Sequence, residues 1–434
     1  MQKYTDEKLM TNTWFLIGLD DTDAPDGMCT TWLGAVLATI LEKSGMKVFS
    51  SRLVRLNPTV PYKTRGNAAI SLCVRGDPDY AFSIASGLVE KFAALSCENT
   101  HPGIVVGLQK PPADFYWKAV QSHCRIDEAR DFLARYALRF LGYKLGRGLI
   151  GATAAVCSEF PDFTWEYLAY RHPGRLYTPR QVDAESLRLS EEQTSPHTWD
   201  TWDTDMKGPV CVPHTPDPVL FGIRGDSPFS VAHAVSMVRS EGADLARIWK
   251  TNQGTDAHLV FYAGSLLTEG ISYLIRGRVH GTPKTGKGGH VIFPLKICDH
   301  QIHCMAFEPT KKFRDIVRSL RPGDEILVAG SYLKNTLNLE KMYVFSAEPY
   351  ISVRAPICPA CQKRMTSAGS GKGYKCRRCG NRTTNPEHII EKRTISSGWY
   401  EVPPGARRHL SRPIVRGYVE PHPSYLPSSR KKGC

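Results

Sequence analysis

The N-terminal third alternates short apolar runs with amphipathic stretches of helical period. Trp14–Leu19 reads as a strand, a loop rich in acids and glycine follows, and an apolar-periodic helix runs from about Thr30 to Lys43. Val48–Leu56 and Ala68–Val74 read as further strands, with helices at Tyr80–Ala93 and Asp127–Leu141. A second module begins after Gly151. Pro218–Gly225 forms a strand leading into a turn, Val231–Arg239 a helix, and His258–Tyr262 another strand, the pattern of a small α+β sandwich. From Ile271 the period becomes two. Strands are expected at Ser272–Val279, Val291–Ile297, Gln301–Phe307, Glu325–Leu333 and Met342–Ala347, with a helix at Thr310–Leu320 after the third. Five strands interrupted in this way are the pattern of an OB-fold barrel, a common binder of nucleic acid.

The 434 residues exceed one core's usual span, which predicts several domains. No apolar run is long enough to cross a membrane, and residues 1–13 lack the apolar stretch of a signal peptide, so a cytoplasmic protein is expected. Nine of the thirteen cysteines are scattered, as in a reducing compartment. The other four form two pairs, Cys358–Cys361 and Cys376–Cys379, separated by 14 residues. Two such knuckles offer four thiolates to one tetrahedral ion, so the spacing predicts a structural zinc site with no coordination position left for catalysis.

The net charge of +14 is concentrated at the C-terminus: residues 353–434 carry 17 basic and 4 acidic side chains. Such a region attracts polyanions. The interleaved Tyr374, Trp399, Tyr400, Tyr418 and Tyr425 suit stacking on unpaired bases. Prolines at 386, 403, 404, 413, 421, 423 and 427 leave little room for a core, so an extended arm is expected beyond Gly380. Gly281–Gly288 resembles a phosphate-binding loop, but Gly288 replaces the required Ser or Thr and a strand follows. A basic hairpin between the first two barrel strands is the better reading. Lys284, Lys287, Arg377, Arg378, Arg407 and Arg408 are the candidate RNA contacts.

Two loops carry candidate chemistry. Asp20, Asp21 and Asp23 crowd three carboxylates after the first strand, an arrangement that suits magnesium. Thr30 and Thr31 open the next helix, whose free amides favour phosphate. In the second loop, Arg55–Asn67, prolines stiffen a segment rich in cations and amides. Together the loops read as an ATP and magnesium site without a phosphate-binding glycine loop. Thr31, Asn57, Lys63, Thr64, Arg65 and Asn67 are the candidate ATP and phosphate ligands.

Ile17–Asp23, Gly27–Thr31, Arg55–Asn67, Arg147–Ala152, Pro218–Gly225, the barrel, the four cysteines and Ala406–Leu410 together resemble the archaeal tRNA(Ile) 2-agmatinylcytidine synthetase (TiaS) family. The resemblance implies a multidomain α/β and α+β chain. Its parts would be a kinase-like domain at 1–150, a ferredoxin-like domain at 151–268, an OB-fold at 269–350, a zinc ribbon at 351–385 and a basic arm at 386–434. It further implies a ligase that uses ATP to join agmatine to C2 of the wobble cytidine of a CAU-anticodon tRNA, through a phosphorylated cytidine, for AUA decoding. Thr30 matches the family's autophosphorylated residue. Glu166, Asp200 and Asp203 are the candidate partners for agmatine's guanidinium. The competing class is a non-catalytic OB-fold and zinc-ribbon factor, which would leave both N-terminal loops without purpose.

Overall fold

The computed structural model describes residues 13–64, 66–298, 300–347 and 349–418. Its N-terminal half is built on one continuous sheet. In chain order the first elements are β1 (Thr13–Asp20), α1 (Thr30–Lys43), β2 (Lys47–Arg55), β3 (Ala68–Gly76), α2 (Pro78–Phe92) and β4 (Gly103–Gly107). They continue with α3 (Asp114–Gln121), α4 (Ile126–Arg135), β5 (Arg139–Gly142), α5 (Gly148–Val156), β6 (Thr164–Tyr170) and α6 (Ala184–Thr194). After β7 (Thr198–Trp199), a separate hairpin of β8 (Trp202–Asp203) and β9 (Gly208–Pro209) precedes β10 (Val219–Gly225), α7 (Pro228–Ser236) and β11 (Leu245–Thr251).

Strand order across the sheet is β5-β4-β1-β3-β2-β11-β6-β10-β7. The two expected modules therefore share a sheet, joined by the parallel pair Arg52↔Lys250 and Leu53↔Thr251. β1 is buried on both faces. Phe15, Ile17 and Leu19 meet Leu33, Leu37 and Leu41 of α1, while Leu16 packs with Leu149, Ala152 and Val156 of α5. Burial on both sides explains why this strand reads as an unbroken apolar run.

Three expectations change. The helix expected over Asp127–Leu141 stops at Arg135, because Ala137 turns the chain with φ 49° and Arg139–Gly142 pairs with β4. The boundary expected between residues 150 and 151 falls inside α5, which packs on β1 and β4. The strand expected around His258–Tyr262 does not join the second module. It forms β12 (Leu259–Phe261), which pairs in parallel with the first barrel strand.

The barrel comprises β13 (Ser272–Val279), the short β14 (Lys284–Thr285), β15 (Val291–Ile297), β16 (His300–Ala306), α8 (Lys312–Ser319), β17 (Glu325–Leu333) and β18 (Thr336–Ser346). It closes in the order β13-β17-β18-β16-β15-β13, a five-stranded barrel. Ile275, Phe293, Leu295, Ile302, Ile326, Val328 and Val344 fill its interior, with Phe313 and Val317 of α8. β18 begins six residues before the expected Met342. Lys334 and Asn335 both have positive φ, the geometry of a tight two-residue hairpin that pairs Leu333 with Thr336. The segment that mimics a phosphate loop is a hairpin, with Lys284 opposite Ile292.

β19 (Tyr350–Arg354) and β23 (Glu387–Glu391) form a ribbon that carries the small sheet β20 (Thr366–Ser367), β21 (Tyr374–Lys375) and β22 (Arg382–Thr383). The expected extended arm is only partly within the described residues; Pro421, Pro423, Tyr425 and Pro427 lie outside them. Its described part is docked. β24 (Gly398–Glu401) pairs with β18, Ile395 and Val402 enter the barrel core, and Leu410 enters a core of the N-terminal half. Trp399 and Tyr418 pack against each other at 4.4 Å, and the Tyr418 hydroxyl bonds Asp256, so these rings are engaged within the protein. Isolated apolar residues entering different cores leave no periodic signal.

Candidate active site

A cavity of about 370 Å³ opens where the two halves of the large sheet meet. Asp20, Asp21, Asp23, Thr30 and Thr31 line one side. Arg55, Lys63, Thr64 and Asn67 line the next, and Arg147, Glu166, Asp217, Arg224 and His409 complete the wall. The two loops singled out in the sequence thus share one cavity.

The acidic loop is held against the start of α5. A Cβ on Gly151 would overlap the Asp20 carboxylate, and one on Gly148 would lie 2.6 Å from the Asp20 carbonyl oxygen. Glycine at both positions lets the helix back the loop closely. Burial above all, then the neighbouring Asp21 charge, raises the Asp20 carboxyl well above its ordinary range. Asp21 sits at φ 59° and accepts a 3.1 Å hydrogen bond from the His101 amide. Burial, only partly opposed by that amide, pushes its pKa up to about 6. Arg147 lies 4.0 Å from Asp21 and covers the Tyr62 ring at 4.8 Å, bridging the acidic loop to the second loop. Negative charge at the acidic loop is therefore undercompensated, and the oxygen donor set fits a hard divalent cation. Among the described residues, however, only the four cysteines bring three or more candidate metal-ligand side chains within 4.8 Å of one another. The carboxylates form an open cluster, suited to an ion that completes its shell with water and phosphate.

Thr30 turns inward. Its Oγ1 lies 3.0 Å from Thr22 Oγ1, while Thr31 Oγ1 meets Cys29 Sγ at 3.0 Å. Asn57 is not on the cavity wall. Its Nδ2 donates to Gly270 O and its Oδ1 accepts from Thr59, so it ties the loop to the segment ahead of the barrel. Asn67 lines the cavity, yet its Nδ2 donates to Asn57 O at 2.8 Å. Lys63 donates to Pro58 O, and burial followed by the Arg408 charge lowers its pKa. Arg65 lies outside the described residues.

Of the three acids expected to receive a guanidinium, only Glu166 lines the cavity. Its oxygens already accept from Arg224 Nε at 3.1 Å and Gln253 Nε2 at 2.5 Å. Asp200 pairs with Arg407 and lies 3.7 Å from Arg224. Asp203 accepts from the amides of Asp205, Met206 and Gly405. Both are committed to internal partners. Arg407, expected at an RNA surface, is instead buried between Asp200 and Glu401. Arg408 is half-buried and bonds Ser331 Oγ. Lys284, Lys287, Arg377 and Arg378 are exposed, as an RNA-contacting role requires.

Cavity residues missed in the sequence include Arg147, Arg224 and His409. Each lies in a motif that had been noted, but nothing local marks it as facing the other two. Asp217 and Cys211 come from a loop with no distinguishing pattern. In the ribbon, Cys358 and Cys379 sulfurs lie 3.4 Å apart and those of Cys361 and Cys376 3.3 Å. Zinc–sulfur bonds of about 2.3 Å in a tetrahedron separate sulfurs by roughly 3.8 Å, so the cage fits one zinc ion.

An acid- and cation-lined cavity on an α/β platform, joined to a five-stranded barrel and a zinc ribbon, defines an RNA-modifying enzyme by class. Family models agree in detail: residues 16–79 match the TiaS TCKD domain, 146–258 the TiaS FLD domain, and 355–395 the TiaS C-terminal zinc ribbon domain. The tRNA(Ile) 2-agmatinylcytidine synthetase TiaS of Methanocorpusculum labreanum is 50% identical over 93% of this chain and 97% of its own length. That of Archaeoglobus fulgidus is 43% identical over 93% and 98%. A crystal structure described as a complex of TiaS with an isoleucine tRNA and ATP superposes with a TM-score of 0.89 at 40% identity, covering 94% of this chain and 98% of that one. The chain belongs to the tRNA(Ile) 2-agmatinylcytidine synthetase family.

Proposed function

We propose that this chain uses ATP to join agmatine to C2 of the wobble cytidine of a CAU-anticodon tRNA(Ile), giving 2-agmatinylcytidine. The reading is carried by the convergence of the acidic loop and the cationic loop on one cavity, in a chain of this family. Relatives have been crystallised with an isoleucine tRNA and ATP, and with the same kind of tRNA, AMPCPP and agmatine. We assign the N-terminal part a kinase-like role, the second module a ferredoxin-like fold and the barrel an OB-fold. The protein would act in the cytoplasm; no helix among the described residues is long and apolar enough to cross a membrane.

A cytosine C2 oxygen is a poor leaving group, and phosphorylation makes it a good one. Asp20, Asp21 and Asp23 would hold magnesium, which when bound screens the triphosphate. Lys63 and Arg55 meet charge developing on the transferring phosphoryl group, in a site where burial strengthens each interaction. Agmatine must present an uncharged amine to C2. Glu166 and Asp217 supply negative charge on the second-module wall for its guanidinium. Thr30 stands at the acidic loop as the phosphoacceptor, and its bond to Thr22 must open before it can act.

The test is incubation with ATP, MgCl2, agmatine and a tRNA transcript, followed by mass spectrometry of the anticodon fragment. The expected product gains agmatine less water on cytidine, with AMP and phosphate released. ATP turnover that ignores tRNA, or unmodified cytidine after full conversion of ATP, would refute the reading.

A further inference from the structure

His409 has no task in the reaction as described, yet the chain goes to some length to place it in the cavity. The Gly254 amide donates to His409 O at 2.8 Å, and the Thr255 and Asp256 amides donate to Leu410 O at 3.1 and 2.8 Å. Leu410 is buried in an N-terminal core, and Arg407 pairs with Asp200 and Glu401. Backbone and neighbours therefore seat this segment, and the imidazole itself contributes to none of these anchors.

The ring's proton is located by its partner. Arg224 Nη2 lies 2.8 Å from His409 Nδ1, and a guanidinium can only donate. Nδ1 must therefore accept, which leaves the single proton of the neutral ring on Nε2. Burial first, then the charges of Arg55, Arg224 and Lys63, hold the imidazole uncharged. Among the described residues no acceptor is bonded to Nε2. That atom and Arg55 Nη1 both press on the second loop at Gly66, where a Cβ would overlap Arg55 and come within 2.9 Å of His409 Nε2. A neutral donor among fixed cations suits an anionic oxygen, because it adds direction without adding repulsion between the cations.

We propose that His409 is a catalytic hydrogen-bond donor whose Nε2–H engages a phosphoryl oxygen, of ATP or of the phosphorylated cytidine. The proton stays on Nε2 throughout, and His409 makes and breaks no covalent bond. The proposal rests on the ATP-dependent reading above.

The test uses the full-length protein with ATP, MgCl2, agmatine and a CAU-anticodon tRNA transcript. His409→Ala is expected to lower kcat for AMP release about 10²-fold, leaving melting temperature and tRNA affinity unchanged. His409→Gln, whose amide N–H can reach towards the Nε2 position, should recover part of the loss. In protein labelled with 15N-histidine, the His409 Nε2 resonance, assigned by its absence from the variant, should shift when ATP and MgCl2 are added. A His409→Ala enzyme with parental kcat, or a resonance unmoved by saturating ATP and MgCl2, overturns the proposal. If His409→Ala melts early, the resonance in the parent protein decides. A parent protein that releases no AMP in the presence of tRNA overturns the underlying reading instead, so the two failures are distinguishable.

Discussion

The four-cysteine cage and the acidic loop both gather metal-binding donors within a few residues, but only the cage makes them converge. The sulfurs of Cys358, Cys361, Cys376 and Cys379 all lie within 4.8 Å of one another. Asp20 is packed against Gly151 and Asp21 is tied to His101, so each carboxylate is held by the fold rather than by a shared ion. The cage is part of its module's core, with Met365 packed against Cys358 and Cys376. The loop sits on a sheet that is already folded. An ion should therefore be structural at one site and optional for folding at the other.

The largest contrast should come from removing metal. Chelation, or Cys376→Ser, should unfold the ribbon, since zinc supplies about 10 kcal/mol or more to modules of this kind. Zinc stoichiometry and protease cleavage within 355–395 report it, while ATP binding at the N-terminal cavity persists. A ribbon that resists protease without metal would erase the distinction. Next in size is Asp21→Asn. Asparagine tolerates the positive φ, so the fold should hold while AMP release falls about 10²- to 10³-fold, or roughly 3–4 kcal/mol. A normal rate would remove Asp21 from the chemistry.

Gly151→Ala should cost about 1–3 kcal/mol despite alanine's better helix propensity, because its Cβ displaces the Asp20 carboxylate. A lower melting temperature accompanied by lost ATP affinity would confirm that the helix shapes the loop. The smallest effect is the pH response. Asp21 titrates near 6 when folded, against 3.8 unperturbed, so folding favours its protonated form. That contribution is complete below about pH 3.8 and is lost as pH rises through about 6, at most 2–3 kcal/mol. MgCl2 should accordingly raise the melting temperature more at roughly pH 7.5 than at pH 5, where a protonated carboxyl competes with the ion. Equal shifts at both pH values would argue against a cation on Asp21.

Local chemistry was legible in the sequence where spacing alone sets geometry. The cysteine knuckles, α1 from Thr30 to Lys43 and the barrel's period of two all follow from neighbours along the chain. The acidic and cationic loops were legible as sites because charge crowding is a local property. Assignments that needed a distant partner were not. Asp200 and Arg407, read as a ligand for agmatine and a contact for RNA, face each other across 207 positions. Asn57, read as a phosphate ligand, bonds Gly270.

By itself the sequence determined the element types, the zinc cage and the two loops that carry charge, because these depend on residues a few positions apart. Only the tertiary structure decided that two modules share one sheet, that the C-terminal arm is docked and that His409 reaches the cavity. Strand pairing and burial depend on which surfaces meet, and no local pattern encodes a partner that lies more than a hundred residues away.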